Sequence, residues 1–317
     1  MDSKPLTKAL LRPTYRAATG PETRARIVLG TAGLGGCYGP VETAAALAGI
    51  QVAFERGVHA ADTAPLYGDA EIRLGQALKN WRGPRIWIST KTGVDREHKP
   101  VFSSDELRKS VQLSLERLGV EQIDCLLFHE PNNIPLQGSS SAARETRTRI
   151  CAVMRELQAA GKASELGLGG GAGPDWDGLL EEMPAGVVLV FNRIDAVCFD
   201  GWADVPRLKR NGSKLFCASP THQGLLTSRL EQVAANPPNW IPAELVVAAQ
   251  RMKKLADQHG LPLAELALRF IASLEAMDRI VIGARDAAEM NATLDALEKG
   301  ALPEEIFNEV LACASSQ

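Results

Sequence analysis

Three short β-prone runs in this sequence each end on, or lead directly into, a side chain that can carry charge or a proton. Asp62 closes Val58–Asp62 and opens the segment Asp62-Thr63-Ala64-Pro65-Leu66-Tyr67-Gly68. Lys91 closes Arg85–Lys91, and His129 closes Ile123–His129. A buried carboxylate or ammonium is costly alone, but as a pair each offsets the other, so Asp62 with Lys91 reads as an ion pair kept for use. An ammonium beside a tyrosine hydroxyl favours phenolate and would lower a pKa whose reference is about 10. Tyr67 would then give a proton to a carbonyl oxygen and take it back in reverse. His129 would orient that carbonyl or join the proton relay. The set lacks a nucleophile suited to acyl transfer and its donor types make a poor metal site, so no metal is expected. Proton transfer coupled to an external hydride fits best. Each residue alone has a plainer reading, as a structural ion pair, a packed tyrosine or a core histidine; together, at matching strand ends, they point to function.

The elements that must position this set alternate along the chain. Strands are expected at Ile27–Gly30, Val58–Asp62, Arg85–Lys91, Ile123–His129, Glu165–Gly169, Val187–Asn192, Lys214–Ser219 and Arg279–Gly283. Helices are expected at Val41–Arg56, Ala70–Asn80, Ser104–Leu118, Arg144–Ala160, Ala203–Arg210, Glu244–His259, Pro262–Leu274 and Glu304–Ala314. Ser104 precedes the acidic first turn Asp105-Glu106, and Gly119, Gly161 and Gly260 follow helical runs as terminators. Such alternation implies right-handed crossovers between parallel strands. The fold class is therefore α/β, a (β/α)8 TIM barrel in one domain over residues 1–317, with 1–25 as an N-terminal extension. In that architecture the C-terminal strand ends form one rim, which Asp62, Tyr67, Lys91 and His129 would share. Thr221–Pro242 reads as an extended loop after strand seven.

Composition narrows the partners. With 35 basic and 38 acidic residues interspersed and a net charge of -3, there is no concentrated cationic field for nucleic acid or an anionic membrane, and neither partner is expected. The six cysteines, Cys37, Cys125, Cys151, Cys198, Cys217 and Cys313, form no Cys-x-x-Cys pair, which suits reduced thiols in a cytoplasmic protein. The first residues, Met1-Asp2-Ser3-Lys4-Pro5, lack an apolar signal core.

Over nearly its whole length the chain resembles the aldo-keto reductases. The resemblance lies in Gly30-Thr31, in Asp62-Thr63-Ala64 through Tyr67-Gly68 to Glu71, in Thr90-Lys91 and in His129-Glu130-Pro131. It continues through Ser219-Pro220, Gly224-Leu225-Leu226-Thr227 and Gly283-Ala284-Arg285. The resemblance implies a (β/α)8 barrel and an NADP(H)-dependent oxidoreductase, NAD remaining open, that interconverts an aldehyde, ketone or aldose with an alcohol or lactone. Tyr67 is then the general acid/base, Lys91 tunes it, Asp62 pairs with Lys91 and His129 positions the carbonyl. Cofactor contacts are expected at Gly30, Thr31, Asn192, Ser219, Gly224, Leu225, Gly283, Arg285 and Glu289, and Tyr38 would line the substrate opening. Ser219 with the Gly224-Leu225 loop would meet the diphosphate and Arg285 a 2′-phosphate. The Gly33-Leu34-Gly35-Gly36-Cys37-Tyr38-Gly39 opening and His129-Glu130-Pro131 look most similar to the arabinose, fucose and threo-aldose dehydrogenase branch. Monomer is the family default.

The nicotinamide end departs from the pattern. Where the family usually has a Ser-Asn pair that binds the carboxamide, this chain has Gly169-Gly170; the customary glutamine falls at Leu189, and the stacking aromatic near Asn192 or Ile194. Losing two or three hydrogen bonds at about 0.5–1.5 kcal/mol each would weaken binding by about one to three powers of ten. That loss motivates an alternative, a nucleotide-sensing or interaction protein on the same barrel. Gly167-x-Gly169-x-x-Ala172 imitates a dinucleotide fingerprint, but the next run, Val190-Phe191-Asn192, ends without the acid a ribose would need. His222 is read as a solvated loop residue.

Overall fold

Eight parallel strands pair in sequence order, and the last returns to the first to close a barrel. The computed structural model describes residues 13–133, 141–173, 176–183, 185–238 and 240–314. The first twelve residues of the expected N-terminal extension, and Asn239 of the expected long loop, lie outside the described residues. The chain enters through α1 (Gly20–Arg24), β1 (Ile27–Gly30), α2 (Ala32–Gly35) and α3 (Thr43–Glu55). Then β2 (Ala60–Asp62) leads to α4 (Ala70–Asn80), β3 (Trp87–Thr92) to α5 (Ser104–Leu118) and β4 (Ile123–His129) to α6 (Ser141–Ala159). Next, β5 (Ala163–Gly170) leads to α7 (Trp176–Glu182) and β6 (Val187–Phe191) to α8 (Val205–Leu208). After β7 (Lys214–Ala218) come α9 (Leu230–Ala235), α10 (Ala243–Gln258) and α11 (Leu263–Ala272); β8 (Arg279–Gly283) is followed by α12 (Ala287–Glu298) and α13 (Glu304–Ala314).

Strand periodicity divides the apolar side chains into two shells. Val28, Ala60, Cys125, Leu127, Val187, Leu189, Phe216 and Val281 fill the barrel interior. Their neighbours in sequence, among them Leu29, Ile88, Leu126, Phe128 and Ile282, face the helices in a larger outer core. The interior stack stops short of the C-terminal strand ends, and there the ionisable residues begin.

Several boundaries differ from expectation, for local reasons. Strands six and seven end one residue early because Asn192 and Ser219 turn into the left-handed region, with φ of 53° and 62°. The expected helix at 203–210 is a 3-10 turn over Asp200–Asp204 running into the four-residue α8. Thr221–Pro242 is less of a loop than expected, since it holds a 3-10 turn at His222–Gly224 and then α9.

At the opposite end of the barrel the two ends of the described chain are tied together. The buried Arg26 guanidinium donates to the carbonyls of Ala272, Leu274 and Met277. Tyr15 bridges Leu274, and Ala301 N–H donates to Ala18.

Candidate active site

The end of β2 is fixed before any chemistry begins. Thr31, at the end of β1, donates both its N–H and its hydroxyl to the Asp62 carbonyl, at 3.0 Å each. Thr31 is fully buried, so its side chain anchors Asp62 rather than facing the mouth. Asp62 Oδ1 accepts from Ser89 Oγ at 2.7 Å, and Oδ2 from Lys91 Nζ at 2.6 Å. Lys91 also donates to the Thr63 carbonyl at 2.8 Å. Its side chain is fully enclosed, yet its charge has a carboxylate and a carbonyl to meet it.

Tyr67 hangs over this pair. Lys91 Nζ lies 4.8 Å from the centre of the phenol ring, and the His129 ring stands perpendicular to Tyr67 with centroids 5.8 Å apart. The structure therefore brings Asp62, Tyr67, Lys91 and His129 together. It corrects the expectation for Tyr67, whose hydroxyl is held well above its ordinary value, first by burial and then by the Asp62 charge. Two of the three lysine N–H groups go to the Asp62 carboxylate and the Thr63 carbonyl, and burial is the first cause of the upward shift. Burial, with help from Lys91, pushes His129 well below its ordinary range, so its imidazole is neutral. Its Nδ1 is buried without a hydrogen-bond partner.

The loops after β1 and β2 set where Tyr67 stands. Asp69 N–H donates to the Gly35 carbonyl, and a Cβ at Gly35 would collide with the Tyr67 carbonyl and Ala70. Gly68, with φ of 58°, would carry a Cβ 2.5 Å from the Gly35 carbonyl. Two glycines thus let the backbones meet where side chains would push Tyr67 aside. Tyr38 is 44% exposed on the same loop, and Cys37 and Tyr38 both lie within electrostatic reach of Tyr67.

Strain gathers on this rim. Of the six described non-glycine residues with positive φ, Glu130, Asn192, Ser219, His222 and Gln223 follow β4, β6 and β7 at their C-terminal ends. Such backbone costs on the order of 1–3 kcal/mol per residue and clusters at functional sites.

The other expected cofactor residues fare differently. Gly30 faces inward, where a Cβ would come 2.9 Å from Val281 Cγ1. Gly283 is exposed and faces open space, as does Gly171. Leu189 is inner core and Ile194 outer core, which leaves Asn192 at the mouth, its Oδ1 buried and without a partner. The β7 loop is closed on itself: Gln223 N–H donates to Ser219 Oγ, Gly224 N–H to Thr221 and Leu225 N–H to His222. Leu225 has its side chain in the core. The amides expected to cradle phosphate are thus already donated within the loop. Arg285 gives its N–H and guanidinium to Glu289, with contacts of 2.7–3.1 Å, so it meets its own helix and not an open site. Gly167 and Gly169 lie inside β5 rather than in a turn, in agreement with rejecting a dinucleotide fingerprint there.

Two features of the rim were not read from the sequence. His222, expected to be solvated, is buried and pairs through Nδ1 with Asp195 Oδ2 at 2.7 Å. Asp195 also accepts the Val197 and Cys198 N–H groups through Oδ1. The half-buried Arg229 places Nη2 2.8 Å from where a Gly224 Cβ would be. No group of three or more described His, Cys, Asp or Glu residues is arranged to hold a metal ion.

A closed eight-stranded barrel with a Tyr-Lys-Asp-His set at its C-terminal mouth defines a class of barrel oxidoreductases. Residues 26–315 match the aldo/keto reductase family, and the chain belongs to it. The chain is 30% identical over 296 residues to L-galactose dehydrogenase of Arabidopsis thaliana, covering 89% of this chain and 88% of that protein. It is 24% identical over 298 residues to D-threo-aldose 1-dehydrogenase of a Pseudomonas species, covering 85% and 88%. Among solved structures, the holo form of an aldo-keto reductase from Bacillus halodurans superposes with a TM-score of 0.73 at 20% identity, covering 92% of this chain and 93% of that one. The chain is thus an NAD(P)-dependent oxidoreductase acting between carbonyls and alcohols.

Proposed function

We propose that this protein oxidises an aldose to its lactone, or in the reverse sense reduces a small aldehyde, with Tyr67 as general acid/base. The reading rests on one observation: Tyr67 and His129 face each other directly above the Asp62–Lys91 pair. The sugar half draws support from the relatives, which are named for L-galactose and for threo-aldoses.

The rim fits a nicotinamide dinucleotide in kind. Arg229 offers a half-buried guanidinium for diphosphate, Asn192 Oδ1 is an acceptor without a partner among the described residues, and Gly171 and Gly283 leave open room. When bound, the cofactor supplies or accepts the hydride. The chain's own residues do the rest. In reduction Tyr67, protonated, donates to the carbonyl oxygen; the Lys91 ammonium, held in place by Asp62, lies beneath the ring and offsets the charge of the phenolate left behind. Neutral His129 offers an N–H to that oxygen without competing for its proton. Because the Tyr67 hydroxyl is held above its ordinary value, reduction keeps its proton donor as the medium turns alkaline, while oxidation accelerates with rising pH.

The preference between cofactors turns on Arg285. Its guanidinium is matched by Glu289, so a 2′-phosphate would meet a neutralised pair and a carboxylate; this supports NAD(H) over the NADP(H) that the resemblance implies. The six cysteines are all unpaired, which supports a reducing compartment. The large apolar side chains exposed among the described residues, Tyr38, Ile72, Trp240 and Val247, are scattered, which supports a monomer. No described helix is long and apolar enough to cross a membrane.

Cofactor absorbance with a panel of aldoses and aldehydes, in both directions, tests the reading. Tyr67→Phe is expected to lower kcat by about 10²–10⁴-fold with the fold intact; turnover that survives this change rules out the assigned role.

A further inference from the structure

The glycines that end β5, Gly169 and Gly170, raise the question of what hydrogen-bonds the ring end of a bound cofactor, and the structure holds an acid at that place. Glu130 follows His129 with φ of 50°, a left-handed turn that folds its side chain back over the neighbouring strand. Its own N–H donates to the Gly169 carbonyl at 2.8 Å. The Gly171 N–H is near enough to its carboxylate to oppose the upward push of burial, and Oε2 lies 2.9 Å from the point where a Cβ on Gly170 would be. Any side chain at position 170 would collide with Glu130, and the positive φ of 155° there further disfavours one. The acid and the glycine are therefore complementary: a carboxylate from the β4 loop fills the place of a missing β5-loop side chain. Asn132 donates to the Gly171 carbonyl, and Arg193 Nη1 to that of Ala172 at 2.6 Å, so the loops after β4, β5 and β6 are tied together around this point. A carboxylate has acceptor capacity beyond one N–H, and Asn192 Oδ1 after β6 is an orphaned acceptor. Acceptors without donors call for a ligand rich in N–H.

We propose that Glu130 is a cofactor-contact residue that accepts a hydrogen bond from the carboxamide NH2 of the nicotinamide, from the space that Gly170 leaves vacant. The assignment rests on the nicotinamide-dependent reading above and deepens it. In this chain, hydrogen bonding usually supplied from strand five comes from the residue after the strand-four histidine. A purely structural Glu130 would hold the loops together and show no interest in the amide.

The experiment compares dissociation constants for the full chain by cofactor or protein fluorescence and calorimetry. The ligands are NAD+, 3-acetylpyridine adenine dinucleotide, in which a methyl ketone replaces the amide, and ADP-ribose, which lacks the ring. The unaltered protein is expected to bind NAD+ about tenfold more tightly than the acetylpyridine analogue, the worth of one hydrogen bond to a charged acceptor. Glu130→Ala is expected to bring that ratio close to one while leaving ADP-ribose within about twofold. Glu130→Met, which keeps the bulk and removes the acceptor, should do the same and decides the matter if the alanine variant does not fold. Equal weakening of all three ligands in the variants, or no preference for the amide in the unaltered protein, overturns the role of Glu130 and leaves the cofactor reading standing. Binding of none of the three overturns both.

Discussion

At His129 the chemistry and the stability of the protein meet. Its pKa in the fold lies below the unfolded value of about 6.5, so the unfolded chain binds the extra proton first as pH falls. The stabilisation from a neutral buried imidazole is complete above that pH and is lost as pH drops toward the folded value. Unfolding in urea is accordingly expected to take up about one proton near pH 6 from this site, and His129→Asn should flatten that part of the pH dependence. An unchanged pH dependence would show that His129 is not held neutral. The four residues themselves were legible in the sequence because strand ends were legible and their types are unusual there. The protonation of Tyr67 was not. Spacing placed an ammonium nearby, but only the packing shows that two of its three proton donors go to Asp62 and Thr63 and that burial is the first cause of the Tyr67 shift. His222 was misread for a related reason, since its partner Asp195 lies 27 residues away in the loop after another strand.

Among the elements, α12 carries the sharpest consequence. Its first turn is capped by Asp286, whose side chain accepts from Glu289 N–H, while the Glu289 carboxylate grips Arg285. The cap thus orients the group that neutralises Arg285. Glu289→Gln is expected to leave the cap intact, release the guanidinium and improve NADPH affinity by about tenfold relative to NADH, close to the worth of one charge-assisted hydrogen bond. Unchanged relative affinity by fluorescence titration would show that Arg285 does not face the 2′ position. Helix and strand order were readable because short β-prone apolar runs alternate with helical patterns with little interruption. Boundaries failed where the backbone departs from both periods, at the left-handed Asn192 and Ser219 and at the 3-10 turn before α8. Those departures lie on the rim, while the starts of β2, β3 and β5, each two residues from expectation, were missed at the other end of the barrel.

For the molecule as a whole, eight strand–helix units foretold the barrel, but its closure and the latch beneath it needed coordinates. Arg26 serves three carbonyls from the segment between α11 and β8, and its loss would leave them unsatisfied in a buried place. Arg26→Met is expected to destabilise the fold by about 2–4 kcal/mol, seen as a lower urea midpoint, while cofactor affinity in the folded protein holds. A matching loss of affinity would mean that the latch and the distant rim move as one. The same latch sets an order of events during synthesis. Strand β1, followed directly by the Thr31 that anchors Asp62, is made before the other strands of the barrel, yet one of its two edges awaits β8. A nascent chain therefore holds its proton-transfer residues in an open sheet with a sticky first edge. The barrel around them closes only once β8 has been made and pairs with β1.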